Sequence, residues 1–226
     1  MIDKIKYENL FGDELTVQQI GKEDEAYIKK SYEGTEIRSK EVLDGKDNLI
    51  SIFFYLKENE IVSQALVDFG GQYNEVGFYF NKLKINNFTT WDVESYTNQI
   101  CTGKAKVAFD NRGRKLASQN IDVTTLAIMD TEKYFYLDNL GPFSEYQPVI
   151  DNGVFKFYYN YDAYDPGDVF VVINLLLHQD ASGGGYIIDD DENVFLEDEM
   201  LASVFNWQSN RYYHSAEPLI PINISV

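Results

Sequence analysis

Residues 36–56 read EIRSKEVLDGKDNLISIFFYL, and this stretch decides the fold class. Two runs that contain β-branched and aromatic residues, Glu36–Leu43 and Asn48–Leu56, flank the pair Asp44-Gly45. Such a pair between two strand-forming runs is a strong signal for a tight hairpin turn. The sequence therefore predicts two antiparallel strands joined by a short connection.

The same strand pattern continues toward the C-terminus, with polar or glycine-containing turns between the runs. Further strands are predicted over Ile61–Phe69, Tyr73–Leu83, Lys104–Asp110, Arg114–Gln119, Ile121–Met129, Tyr134–Leu137, Val154–Tyr161 and Asp168–His178. The last of these is the most hydrophobic segment, and we expect it to be the central strand. A buried helix is the alternative there, because a continuous apolar run has no period that separates the two.

Helices are predicted at three places. Glu23–Glu33 has acids early and lysines late, which suits the helix dipole, and Thr89–Gln99 begins with capping threonines. Glu197–Trp207 has acids in its first turn and an apolar stripe behind them. The fold predicted for residues 1–226 is a single α+β domain, mostly antiparallel sheet with a few peripheral helices. A subdivision near residues 85–105 or near residues 140–150 is the alternative.

Composition limits the class of protein. The chain has 226 residues, 44% of them hydrophobic, which is ample for a packed core. Its single cysteine, Cys101, excludes an internal disulfide framework. The N-terminus has no signal-peptide pattern, and no run reaches the roughly 18 apolar residues of a membrane span. We therefore expect a cytoplasmic protein.

The charge is strongly negative and unevenly distributed. The net charge is −18, which disfavours direct binding to nucleic acids or anionic membranes and favours a basic partner. Residues 134–226 have fifteen acidic residues against two basic ones, a balance of −13, and ten of the 17 tyrosines. Charge asymmetry of this kind points to a charged partner for the C-terminal part.

No motif for catalysis or cofactor binding is present, so we predict no catalytic residues, no metal ligands and no cofactor. Asp189–Glu192 could hold Ca²⁺ or Mg²⁺, but it lacks EF-hand spacing and reads better as a solvated turn. Ser182–Gly185 lacks the lysine of a phosphate-binding loop. Cys101 with His178 or His214 would be the minimum for thiol catalysis, but no local signature supports it.

The most suggestive segment, residues 158–165, mixes tyrosine with aspartate at the end of a predicted strand and in the turn after it. Tyrosine offers a rigid contact surface with a polar tip, and aspartate pairs with Arg or Lys. An ordinary strand followed by an acidic turn is the alternative. The predicted partner-binding residues are Tyr158, Tyr159, Tyr161, Asp162, Tyr164 and Asp165, with a second patch of Asp189, Asp190, Asp191 and Glu192.

These observations favour a protein-binding inhibitor over an enzyme. An acidic, compact chain without catalytic motifs resembles, in general character only, many unrelated immunity proteins that neutralise secreted bacterial toxins. The expected partner is a basic protein such as a toxin domain. Two alternatives remain: a metal-dependent hydrolase of unknown substrate, and an acidic nucleic-acid mimic that blocks a DNA- or RNA-binding protein.

Overall fold

The structure is a computed structural model that describes residues 2–9, 14–20, 26–136, 154–161, 169–175, 185–188, 194–196, 211–213 and 215–221. The strands are β1 (Lys4–Asn9), β2 (Glu14–Leu15), β3 (Tyr27–Glu33), β4 (Glu36–Leu43), β5 (Leu49–Tyr55), β6 (Glu75–Ile85), β7 (Phe88–Thr97), β8 (Ile100–Phe109), β9 (Lys115–Ile121), β10 (Ile128–Tyr136), β11 (Val154–Tyr161), β12 (Val169–Leu175), β13 (Gly185–Ile188) and β14 (Val194–Leu196). Helix α1 (Val62–Phe69) lies between β5 and β6, and a single 3-10 turn covers Arg211–Tyr213.

The chain divides into two compact units. The N-terminal unit consists of Met1–Leu83 and Thr90–Ala105, and the C-terminal unit of Lys84–Thr89 and Lys106–Val226. Strand neighbours in the N-terminal unit follow the order β8-β7-β6-β5-β4-β3-β1-β2, and those in the C-terminal unit the order β14-β13-β12-β11-β10-β9-β8. The predicted subdivision near residues 140–150 lies outside the described residues and stays a prediction.

The predicted antiparallel sheet is confirmed. Strands β4 and β5 pair antiparallel around the predicted turn, where Asp44 Oδ1 accepts the backbone N–H groups of Lys46 and Asn48 at 2.8 Å each. Asp110 Oδ1 organises the turn between β8 and β9 in the same way, accepting the N–H groups of Arg112 and Arg114 at 2.9 Å. Short aspartate side chains thus satisfy the turn backbone, as expected for this residue type.

One pair of strands departs from the antiparallel pattern. β5 and β6 run parallel, with Phe53 opposite Gly77, and α1 lies in the connection between them. A tight turn can join only antiparallel strands, so a parallel pair needs a longer crossover that brings the chain back to the starting end of the first strand. The core of the N-terminal unit lies under this helix and is formed by Ile52, Leu56, Ala65, Val76 and Phe78.

The predicted strand at Ile61–Phe69 is wrong, because Val62–Phe69 forms α1. Val62 and Leu66 pack against the core and Ala65 is buried, whereas Val67 is 76% exposed. The apolar spacing is that of one helix face, and burial of that face on the sheet decides the structure.

The predicted helix at Glu23–Glu33 is also wrong, since Tyr27–Glu33 is β3, paired between β1 and β4. The lysines that suggested a helix dipole instead form cross-strand ion pairs. Lys29 lies opposite Glu41 with 3.1 Å between Nζ and Oε1, and Lys30 pairs with Glu8 on β1. Such pairs are the usual lateral contacts of a sheet.

Two further sequence predictions are corrected. The predicted helix at Thr89–Gln99 is strand β7, in which Trp91 and Val93 are buried at a spacing of two residues. The predicted strand at Ile121–Met129 is interrupted, because Asp122 accepts the N–H groups of Thr124 and Thr125 and forms a turn before β10. The sheet prediction is confirmed, but among the described residues α1 is the one α-helix.

The C-terminal strands agree with the sequence prediction. β11 covers Val154–Tyr161 as predicted, and β12 occupies Val169–Leu175 within the predicted strand Asp168–His178. β12 pairs with β11 on one side and β13 on the other, so it is an interior strand. The predicted helix at Glu197–Trp207 lies outside the described residues.

Candidate functional site

The predicted partner-binding tyrosines begin on β11. Antiparallel pairing with β10 places Tyr158 opposite Glu132 and Tyr159 opposite Thr131, and Tyr161 is the last residue of the strand. The rest of the predicted set lies outside the described residues: Asp162, Tyr164, Asp165, Asp189, Asp190, Asp191 and Glu192. The structure thus places the start of the predicted surface directly beside β10.

Strand β10 contributes acidic and aromatic groups that the sequence analysis did not single out. Because successive residues alternate between the two faces of a strand, Asp130, Glu132, Tyr134 and Tyr136 share one face, which we call the β10 polar face. All four are half-buried. Tyr134 donates its hydroxyl hydrogen to the Glu132 carboxylate, and burial together with that carboxylate raises the pKa of Tyr134 above its ordinary value.

Tyrosines of the β10 polar face already hold cations of this chain. The Lys115 ammonium lies 4.8 Å from the centroid of the Tyr134 ring, and the Arg114 guanidinium lies 4.2 Å from that of Tyr136. Both distances are within the range of cation–π attraction, about 6 Å. The two aromatic rings of this face thus bind cations of the chain itself, which shows that its chemistry suits Lys and Arg side chains.

The opposite face of β10 fastens the C-terminal segment. Lys133 is fully buried, and its Nζ donates to the carbonyl oxygens of Tyr212 and Ser215, each at 2.7 Å. The same ammonium lies 3.9 Å from the centroid of the Tyr212 ring. Gln119 adds a second tie by donating to Glu217 Oε1 at 2.6 Å. We call this arrangement the Lys133 clasp.

Burial lowers the pKa of Lys133 to about 7, although the nearby Glu217 carboxylate acts in the opposite direction. A lysine with a pKa near neutrality is unusual, because an ordinary lysine is charged up to about pH 10. Such a group is a candidate acid or base wherever it meets a substrate. Lys133 is fully buried, however, and its Nζ contacts backbone carbonyls and a tyrosine ring, which supports a structural role.

The N-terminal unit contains a cavity of about 540 Å³. Helix α1 forms one wall, and residues of β4 and β5 form the floor. Phe54 and Phe69 both line it and stack directly on each other with 4.4 Å between ring centroids, and both Leu56 and Ala65 are buried. These side chains make most of its surface apolar.

Arg38 fixes the polar side of the cavity. Its guanidinium donates to the Tyr55 carbonyl oxygen at 2.7 Å and to both carboxylate oxygens of Glu60, at 2.8 and 3.0 Å. Burial by itself would raise the pKa of Glu60, but the Lys57 backbone N–H and Arg38 outweigh it and hold that pKa below its ordinary value. On the outer side, the Lys57 ammonium lowers the pKa of Glu33 to about 2.

The described residues do not form the side-chain arrangement that either catalytic hypothesis, thiol–histidine catalysis or a metal site, requires. Cys101 is half-buried on β8, and its thiol points to the Gly103 carbonyl oxygen at 3.7 Å. His178 and His214 lie outside the described residues, so the thiol–histidine hypothesis stays untested. Within the described ranges, no three His, Cys, Asp or Glu side chains come together as metal ligands, and no helix is long and apolar enough to cross a bilayer.

The sequence matches no protein-family model, and no curated protein or solved structure is similar enough to it to count as a match.

Proposed function

We propose that this chain is a cytoplasmic binding protein that holds and neutralises a basic protein partner, in the manner of an immunity protein or antitoxin acting on a secreted bacterial toxin. The observation that carries the proposal is the β10 polar face. There, two tyrosine rings and two carboxylates lie next to β11, and both rings bind cations of the chain itself.

The charge of the molecule supports the same role. The net charge of −18 attracts a basic protein from a distance, and most of the excess lies in residues 134–226, the part of the sequence that includes β11. Complementary charge mainly accelerates association, whereas buried aromatic side chains slow dissociation. In this mechanism Asp162, Asp165 and the acidic run at 189–192 steer the partner. Tyr158, whose register position opposite Glu132 puts it on the same side of the sheet as the β10 polar face, retains it together with Tyr164.

The proposal is tested on the partner captured from the native cell. The association rate of the purified pair is measured by stopped-flow mixing at about 0.01 M and about 0.15 M ionic strength, where the screening lengths are about 30 and 8 Å. We expect the rate to fall with salt, and the double variant Asp162→Asn/Asp165→Asn to slow association at low salt. Tyr158→Ala should instead accelerate dissociation.

The matched control removes the same charge elsewhere. Glu58 and Glu75 are exposed residues of the N-terminal unit, and Glu58→Gln/Glu75→Gln changes the net charge by the same amount. We expect the control to slow association less than Asp162→Asn/Asp165→Asn does. Equal effects of the two double variants, or an association rate that does not respond to salt, would contradict the proposed surface.

A further inference from the structure

The cavity under α1 has the size and lining of a small-molecule site. Its volume of about 540 Å³ falls within the range of about 300–1,000 Å³ that is typical of ligand pockets. Buried Leu56 and Ala65 and the stacked rings of Phe54 and Phe69 line its apolar part. An aromatic or branched apolar group of a ligand can therefore be buried in this cavity, where it would contact these side chains instead of water.

The exposed residues of the lining define the mouth of this cavity, and three of them are apolar. Ile61 is 64% exposed, Ile2 48% and Phe69 36%, and all three line the same opening. Single exposed apolar residues are ordinary, but their convergence on one concave opening is typical of a binding site. The mouth thus extends the apolar floor outward and gives a ligand more surface to cover.

The charges around the cavity are not balanced. One guanidinium, Arg38, and two carboxylates, Glu60 and Asp68, line it. Arg38 is engaged by both oxygens of Glu60, so this pair neutralises itself. Asp68 Oδ1 accepts the neutral amide of Gln64 at 2.9 Å, and no Lys or Arg in the described part of the chain forms an ion pair with it. One negative charge is therefore left beside an apolar cavity.

We propose that this cavity binds a small amphiphilic amine, with an aromatic or branched apolar body over Phe54 and Phe69 and an ammonium group paired with Asp68. An anionic ligand is disfavoured, because Arg38 is already engaged and the remaining charge is negative. A neutral ligand would gain the apolar contacts but not the ion pair. This site is separate from the tyrosine and aspartate residues of the proposed partner surface.

The test uses 4-phenylbutylamine, with 4-phenylbutanol and 4-phenylbutyrate as probes that differ only in the head group. Binding to the full chain is measured by the change in backbone amide shifts. We expect saturable shifts around residues 54–69, with the amine binding about three- to fivefold more tightly than the alcohol, as a partly exposed ion pair allows. The carboxylate should bind most weakly of the three.

Two isosteric variants separate the Asp68 pair from the general negative field. Asp68→Asn keeps an oxygen that can accept the Gln64 amide, so the fold is preserved, and it should make the amine and the alcohol bind equally. Glu58→Gln removes the same charge from an exposed site outside the cavity lining and should keep the difference. Phe69→Ala should weaken all three probes.

Several results would overturn the proposal. They are shifts that lie outside the cavity, equal affinities of amine and alcohol for the unaltered chain, and equal losses of amine binding in Asp68→Asn and Glu58→Gln. Asp162→Asn/Asp165→Asn should leave amine binding unchanged. A failure of the partner surface and a failure of the cavity site therefore give different results.

Discussion

Lysine side chains are almost always exposed to solvent, yet Lys133 is fully buried in the Lys133 clasp. A neutral amine retains two N–H donors, which is the number needed for the carbonyl oxygens of Tyr212 and Ser215. The clasp can therefore keep these two hydrogen bonds after Lys133 loses its proton. What changes with protonation is the cost of burying the charge.

The pKa of Lys133 predicts how stability depends on pH. The folded-state pKa is about 7, below the ordinary 10.5, so between these values the unfolded chain binds one more proton than the folded chain. The contribution of this group therefore makes the free energy of unfolding rise with pH, by at most about 1.4 kcal/mol per pH unit. Below about pH 7 both states are protonated and this contribution no longer changes.

Chemical denaturation at a series of pH values between about 7 and 9 measures this slope. Lys133→Met should lower stability, because two carbonyl oxygens lose their donor, and should remove the contribution of Lys133 to the slope. Lys46→Met, at an exposed turn position, should leave the slope unchanged. If Lys133→Met and the unaltered chain show the same slope, Lys133 is charged in the folded state throughout this range.

At the scale of single elements, the parallel pairing of β5 and β6 requires a glycine at position 77, opposite Phe53. A Cβ atom added to Gly77 would lie 2.3 and 2.4 Å from ring atoms of Phe53, which is the residue opposite it. The Phe53 ring is itself held against Tyr79, with 5.8 Å between the ring centroids. Neither the ring nor the strand has room for the extra carbon.

Gly77→Ala should therefore destabilise the protein by about 1–3 kcal/mol, as overpacking of a well-filled site usually does. Gly103→Ala is the matched control, because it also replaces a glycine within a strand, here β8. Its new Cβ atom would lie 3.6 Å from Ser95, an ordinary van der Waals distance. That variant should be neutral or slightly stabilising. Thermal unfolding of both variants tests the contrast, and equal losses would show that glycine itself, not the Phe53 contact, matters.

Local patterns predicted the hairpin elements well but failed where packing decided between helix and strand. Asp44-Gly45 fixes a turn through bonds within five residues, so the sequence was sufficient. For Ile61–Phe69 the apolar residues fit a strand when taken as a run, and a helix only when Val62, Ala65, Leu66 and Phe69 are set apart as one face. The sheet that buries this face lies elsewhere in the chain.

The candidate sites show the same limit. The strand that carries Tyr158, Tyr159 and Tyr161 was predicted with its bounds. The β10 polar face was missed because Asp130 and Glu132 lie before residue 134, where the strongly acidic part of the sequence begins. Only strand pairing places these two residues beside β11. The Lys133 clasp was beyond sequence reasoning, since its acceptors lie 79 and 82 residues away.

At the scale of the whole molecule, a net charge of −18 makes the folded chain repel itself. Raising the ionic strength from about 0.01 M to about 0.15 M shortens the screening length from about 30 to about 8 Å and should weaken this repulsion. We expect the melting temperature to rise, by about 2–4 °C for each kcal/mol gained.

Differential scanning calorimetry at pH 7 checks the sign of this shift. The control is the same salt series near the isoelectric point of about 4.4, where the net charge vanishes and the increase should disappear. A melting temperature that falls with salt at pH 7 would mean that favourable ion pairs, such as Lys29–Glu41 and Arg38–Glu60, outweigh the net repulsion.

The short strand β14 is the last in the strand order of the C-terminal unit, and its described pairing is with β13 alone. A strand with one unpaired edge is a template on which a second chain can add its own strand, and the sequence Val194-Phe195-Leu196 is apolar enough to favour this. Acidic residues border it on both sides, Asp189–Glu192 before it and Glu197–Glu199 after it. Repulsion between these carboxylates on two copies of the chain would oppose edge-to-edge aggregation. The acidic residues can therefore reduce self-association whether or not a basic partner is bound.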